Sequence, residues 1–160
     1  MYDTRDIEGL VAALIDLMSF FNSPRRDDVL LREAGVSLDR ALFPLLVRLA
    51  MFGPLSVAGL ADQVGRDHTT ISRQLSKLES LDLISRQGGS DKRVRTATLT
   101  AAGDKIVHAI TAARQRLLSR ALADWSEIDL ASLATLNRRF VDALAEGDTG
   151  IRVGPGARAD

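Results

Sequence analysis

The sequence predicts a mainly α-helical chain carrying one small β-hairpin. Three observations support this. Apolar residues recur at three- and four-residue spacing through most of the 160 positions, which is the helical period. Proline and glycine punctuate those runs at Ser23-Pro24, Gly35 and Gly53-Pro54. Only the stretch from Leu83 to Leu99 reads as two short extended runs around a Gly-Gly-Ser-Asp tip. Hydrophobic residues make up 46 % and charged residues 26 %, ordinary for one globular unit of this length. Aromatics are only 4 %, so the core is expected to be Leu, Ala, Val and Ile.

In order, Thr4 reads as an N-cap, followed by Ile7, Leu10, Val11, Leu14, Leu17, Met18 and Phe21 at helical spacing. Ser23-Pro24, a cap with a first-turn proline, starts a second helix that runs to Gly35. Ser37 can cap a third helix ending at Gly53, although Pro44 inside it must kink it or delay its start. Two short helical patterns follow between Ser56 and Leu83, separated by Val64-Gly65, and then the hairpin. Thr100 opens a long helix with Ile106, Ile110, Ala113, Leu117 and Leu122 on its buried stripe. Ser126 and Asp129 resemble a capping box for the last helix, which carries Leu130, Leu133, Leu136, Phe140, Val141 and Leu144. Residues 148–160 offer little to pack and are expected to form a disordered tail.

The pair of short helices carries the functional signal. Ala61, Gly65 and Ile71 stand where a helix-turn-helix needs a small residue at the crossing, a turn residue tolerant of positive φ, and an apolar wedge. At about 100° per residue, Ile71, Leu75 and Leu78 fall on one face of the second helix. Thr69, Arg73, Ser76, Lys77 and Ser80 gather opposite, flanked by Thr70 and Ser72, with no carboxylate among them. An ordinary solvated face mixes both signs. Hydroxyls with Arg and Lys suit a helix that enters the major groove, where hydroxyls meet phosphates and Arg reaches guanine.

At the hairpin tip, Asp91 to Arg95 reads DKRVR. Three cations on a glycine-rich turn suit the narrow, negative minor groove, a charged solvated loop being the plainer alternative. The whole chain balances 21 basic against 21 acidic residues, but Arg66 to Thr96 carries a net +3 and the remainder −3. The neutral total therefore hides a basic head on an acidic body, a polarity that favours salt-sensitive binding to DNA.

These residues resemble the MarR family of winged helix-turn-helix regulators from about Thr4 to Gly147. The most specific portions are LADQVGRDHTTISRQLSKLESLDLISR and the wing signature of Asp91 and Arg93 followed by Leu99, Thr100 and Gly103. The resemblance implies a homodimer whose N- and C-terminal helices interlock, a recognition helix in each major groove, and wings at the flanking minor grooves. It divides the chain into a helical dimerisation region (1–36 and 100–147) and a winged helix-turn-helix DNA-binding domain (37–99). The candidate DNA-binding residues are His68, Thr69, Thr70, Ser72, Arg73, Gln74, Lys77, Lys92, Arg93 and Arg95. Asp91 is expected to brace the wing arginine, and His68 reads equally as a phosphate contact or a capping-turn residue. The family also implies a small aromatic ligand between the dimer helices and the reading head. Phe20, Phe43 and Arg48 are candidate lining residues, with plain packing as the alternative for each.

The expected partners are thus duplex DNA, a second copy of the chain and a small aromatic ligand, with repression the expected mode. No cofactor is expected. The chain has no cysteine, which excludes thiol redox sensing, and two isolated histidines argue against a metal-sensing cluster. The acidic start MYDTRDIEGL and the short apolar runs lead to an expectation of a cytoplasmic protein without a membrane span. No G-x-S-x-G, H-E-x-x-H or P-loop pattern occurs, so an enzyme is not expected. The competing reading is a winged-helix protein-interaction module whose basic face meets an acidic partner.

Overall fold

The computed structural model describes residues 3–88 and 95–147, so the expected tail at 148–160 and the tip residues Asp91, Lys92 and Arg93 lie outside the described residues. The elements run α1 (Thr4–Phe21), α2 (Pro24–Ala34), α3 (Phe43–Phe52), β1 (Leu55–Ser56), α4 (Val57–Val64), α5 (His68–Ser80), β2 (Ile84–Gly88), β3 (Arg95–Leu99), α6 (Ala101–Ala121) and α7 (Glu127–Gly147). The fold is mainly helical with a small antiparallel sheet, as the sequence predicts.

Three local differences have physical reasons. The cap of α1 is Asp3, not Thr4, because the Asp3 carboxylate accepts the Arg5 backbone N–H at 3.0 Å. The third helix does not start after Ser37. Asp39 first folds a turn by accepting the Ala41 N–H at 2.8 Å, and Pro44 takes the first turn of α3, where no N–H is needed. The hairpin gains a third strand, β1, paired to β3 with Leu55 opposite Ala97 in the order β1-β3-β2. Two residues are too few to show a strand period in a sequence.

The larger core cluster joins α3, α4, α5, the sheet and Val107 of α6, with Leu45, Leu46, Leu60, Ile71, Leu75 and Leu78 essentially free of solvent. Each such side chain contributes roughly 1.5–3 kcal/mol by leaving water. A smaller cluster of Leu30, Leu31, Phe43, Ile110 and Ala113 fastens α2 and α3 to α6. Glu33 adds a polar clamp on the same seam, accepting from Arg116 Nε at 2.9 Å and Arg120 Nη2 at 2.6 Å. Those two guanidinium hydrogen bonds hold the Glu33 carboxyl below its ordinary pKa.

The joint between α5, β2 and α6 fixes α5 against the sheet and the long helix. Helix α5 ends in a Schellman arrangement: Leu83 N–H donates to the Leu78 carbonyl at 3.0 Å and Asp82 N–H to Glu79 at 3.0 Å. Asp82 takes the left-handed position there, with φ of 57°. Thr100 then staples the joint. Its hydroxyl donates to the Asp82 carbonyl at 2.6 Å and accepts Gly103 N–H at 3.1 Å, capping α6. A Cβ on Gly103 would lie 2.0 Å from the Leu83 carbonyl oxygen, so only glycine permits this approach.

Candidate nucleic-acid interface

Helices α4 and α5 form the expected pair. Gly65 ends α4 at φ of 65° and donates its N–H to the Ala61 carbonyl at 2.9 Å. A Cβ there would meet no neighbouring atom, so the requirement is for backbone conformation and not for space. Ile71 is fully buried between the helices, and Ala61 is buried at their crossing.

Helix α5 begins at His68 with Asp67 as its cap. The Asp67 carboxylate accepts the Thr70 backbone N–H at 2.8 Å and the Thr70 hydroxyl at 2.6 Å. The hydroxyl bond first, then the backbone bond, hold the Asp67 carboxyl below its usual range. Thr70 therefore spends its proton on the cap. Ser76 and Ser80 likewise donate to carbonyls of their own helix, at 3.0 Å to Ser72 and 2.7 Å to Lys77. Thr69, Arg73 and Lys77 project from the exposed face, with His68 exposed at its start. Ser72 is half-buried, and Gln74, also half-buried, accepts from Arg66 Nη1 at 2.9 Å.

Beside this face a cleft of about 470 Å³ opens between α5 and the sheet, lined by His68, Ser72, Arg86 and Arg95 among others. It brings residues of the helix and the hairpin base to one surface, and its charged side chains are cationic. Arg86 was not singled out from the sequence. It sits on the strand face of buried Ile84 and donates to the Ser72 carbonyl at 3.4 Å, tying the wing to α5. The alternation Ile84-Ser85-Arg86 was the available signal, since a strand places the first and third of these on one side.

A second cavity, of about 570 Å³, lies among α1, α2, α3, α6 and the turn between α4 and α5. Phe20, Phe43 and Leu117 are among its apolar walls, and Arg26, Arg66, Arg114 and Asp27 supply charge. Arg26 lies over the Phe20 ring, 3.9 Å from its centroid. Burial pushes the Asp27 carboxyl up, against the lowering pull of Arg40 and Arg114. Two of the three candidate ligand residues, Phe20 and Phe43, thus meet in one cavity. Arg48 is not part of its lining and lies instead 5.9 Å from the centroid of the Phe52 ring.

The family model HVO_A0114 matches residues 38–98, the stretch holding the helix pair and sheet. The HTH-type transcriptional regulator YxaD of Bacillus subtilis is 34 % identical over 111 residues, covering 66 % of this chain and 78 % of its own. A MarR family protein from Bacillus stearothermophilus superposes with a TM-score of 0.77 at 19 % identity, over 91 % of this chain and 99 % of that one. The chain belongs to the HTH-type transcriptional regulators, with the fold of the MarR family. It is a DNA-binding regulator and not an enzyme. A further structure with the MarR fold is a point mutant of MepR from S. aureus, which was solved bound to an oligodeoxyribonucleotide. It matches at a TM-score of 0.52 and 18 % identity, over 90 % of this chain and 99 % of that one. No single described helix of this MarR-fold regulator is long and apolar enough to cross a membrane.

Proposed function

We propose that this regulator is a homodimeric repressor that reads a palindromic operator and is released by a small aromatic ligand. The observation that carries the reading is the exposed, carboxylate-free face of α5, with Thr69, Arg73 and Lys77 free of the helix-internal bonds that occupy Ser76 and Ser80. In this reading Arg73 meets a base edge. His68, Thr69 and Ser72 hold phosphates near the positive end of the helix, and Lys77 meets the backbone further on. Thr70 acts through the cap, and Gln74 faces the flank of the groove. Arg95, with Lys92 and Arg93 at the hairpin tip, follows the minor groove, and Asp91 braces Arg93. Residues 37–99 serve as the reading head, with 1–36 and 100–147 as the dimerisation region. The MepR structure bound to an oligodeoxyribonucleotide supports the role of the fold.

Two heads are needed because one offers few phosphate contacts. A two-fold dimer sets its recognition helices roughly 34–36 Å apart, one turn of DNA. The ligand would occupy the cavity bounded by Phe20 and Phe43, where it touches both α1 and the head.

The test is binding to the duplex immediately upstream of the gene, read by fluorescence anisotropy across a salt series. Arg73→Ala is expected to cost about 1–3 kcal/mol and to relax sequence preference. Arg93→Ala is expected to weaken all sequences alike and to flatten the salt dependence by about one unit of slope. Parent-like binding by both variants would remove this surface from consideration.

A further inference from the structure

One cation beside the helix pair is not among the residues assigned above to DNA. Arg66 lies in the turn between α4 and α5, outside the face proposed to meet DNA, yet it touches three parts of the molecule. It lines the cavity. Its Nη1 donates to the Ala41 carbonyl at 2.7 Å and to Gln74 Oε1 at 2.9 Å. Ala41 belongs to the turn that leads into α3, and Gln74 sits one residue beyond Arg73 in the middle of α5. One guanidinium therefore pins the recognition helix to the scaffold while forming part of the wall of the cavity.

From this geometry we infer that Arg66 is a positioning residue, holding α5 through Gln74 until an aromatic carboxylate in the cavity draws its guanidinium away. The inference rests on the cavity being the ligand site. Both present acceptors of Arg66 are neutral oxygens. A carboxylate is a stronger acceptor for guanidinium, with charge-assisted bonds about twice as strong as neutral ones and a fork that matches two oxygens. The cavity favours such a ligand: it offers three guanidiniums against the single carboxyl of Asp27, with Phe20, Phe43 and Leu117 to receive a ring. Arg26 is already engaged with the Phe20 ring, and Arg114 lies on α6, remote from Gln74 in sequence and bonded to nothing on α5 among the described residues. Of the three, Arg66 alone joins the cavity to α5. Its departure unfastens Gln74 from the Ala41 turn and frees α5 to shift against the scaffold. A shift of that kind matters for DNA because two helices must enter two grooves at once.

The probe is 1-naphthoate, with its binding to the full-length protein followed by calorimetry and the affinity for the upstream duplex by anisotropy. For the parent, saturating naphthoate is expected to weaken DNA binding tenfold or more. Arg114→Met is expected to bind naphthoate several-fold more weakly but, once saturated, to lose DNA affinity by the same factor. Arg66→Lys keeps the charge of the cavity and loses the planar fork. It is expected to bind naphthoate within about threefold of the parent, yet to change its DNA affinity less than twofold when saturated. A merely structural Arg66 would lower melting temperature and DNA affinity without abolishing the response. A full response in Arg66→Lys overturns the relay and leaves the ligand site standing. A parent that fails to bind naphthoate, or that binds it with no loss of DNA affinity, overturns the ligand reading and the relay with it.

Discussion

Gly103 and Asp82 sit on either side of the same joint, and each sets a condition that its neighbours cannot meet for it. The Leu83 carbonyl approaches residue 103 so closely that an added methyl would lie 2.0 Å from oxygen and 3.0 Å from the carbonyl carbon. Both atoms are backbone and cannot swing aside. Gly103→Ala should therefore cost about 3 kcal/mol, the upper end for forcing one extra carbon into a packed site, read as a fall in the denaturation midpoint. A parent-like midpoint would show that α6 can back away from Leu83. Asp82 presents the opposite case. It holds φ of 57° with a Cβ, and its carboxylate stands at the negative end of α5. Asp82→Asn removes the charge and suits the left-handed position better, so it should raise stability by about 0.5–1 kcal/mol, visible as a higher melting temperature. Asp82→Gly removes the same charge and also frees the left-handed backbone of its Cβ, so it should act in the same direction.

Among the elements, the long periodic helices and the α4–α5 pair were legible because burial enforces their spacing. Ile71, Leu75 and Leu78 follow from periodicity alone, and all three are buried. The Leu-Thr-x-x-Gly signature was visible as a pattern, but its cause was not, since it depends on Thr100 and Gly103 meeting Asp82 and Leu83 across the chain. Strand β1 escaped notice for want of length. Arg86 and Arg66 escaped as individuals, since a net charge of +3 records how many cations the head holds and not which carbonyl each one reaches. The Glu33 clamp between α2 and α6 was illegible for the same reason, its partners lying 83 and 87 positions away. It has a pH signature. Arg116 and Arg120 lower the folded pKa of Glu33 below its ordinary 4.5. The clamp therefore contributes fully above about pH 4.5 and is lost as pH falls through the lowered value. Glu33→Gln should melt below the parent at neutral pH, with the gap closing as pH falls below the ordinary carboxylate value of 4.5 and through the lowered one. A gap that stayed constant across that range would mean that Glu33 acts by shape and not by charge.

At the scale of the whole molecule, α1 and α7 carry long rows of exposed apolar residues. No described residue of α1 is buried, although Ile7, Leu10, Val11, Ile15, Leu17, Met18, Phe20 and Phe21 are all exposed apolar residues on it. Helix α7 likewise buries no residue from Glu127 to Glu146, and Leu130, Leu133, Leu136 and Leu144 stand exposed. Helices in proteins draw most of their stability from a packed apolar face and not from propensity, and these two, of 18 and 21 residues, show none among the described residues. In the proposed homodimer a second copy would meet that need, bringing a matching pair of apolar helices to a two-fold interface. Val11 and Leu133 lie in the stripes of α1 and α7, so Val11→Glu with Leu133→Glu would place two charges in any such seam. The double variant should sediment at the mass of one chain where the parent sediments at twice that mass. Its larger core should survive, because neither α1 nor α7 contributes a buried side chain to it, and circular dichroism should show the helices of the head retained. Operator affinity should then fall by about 10²–10⁴-fold, the advantage that linkage of two heads confers, while each head keeps its weak, salt-sensitive grip on any duplex. A parent that sediments as one chain, or a double variant that keeps parental affinity, would mean that α1 and α7 cover something other than each other's counterparts and that a single head is sufficient.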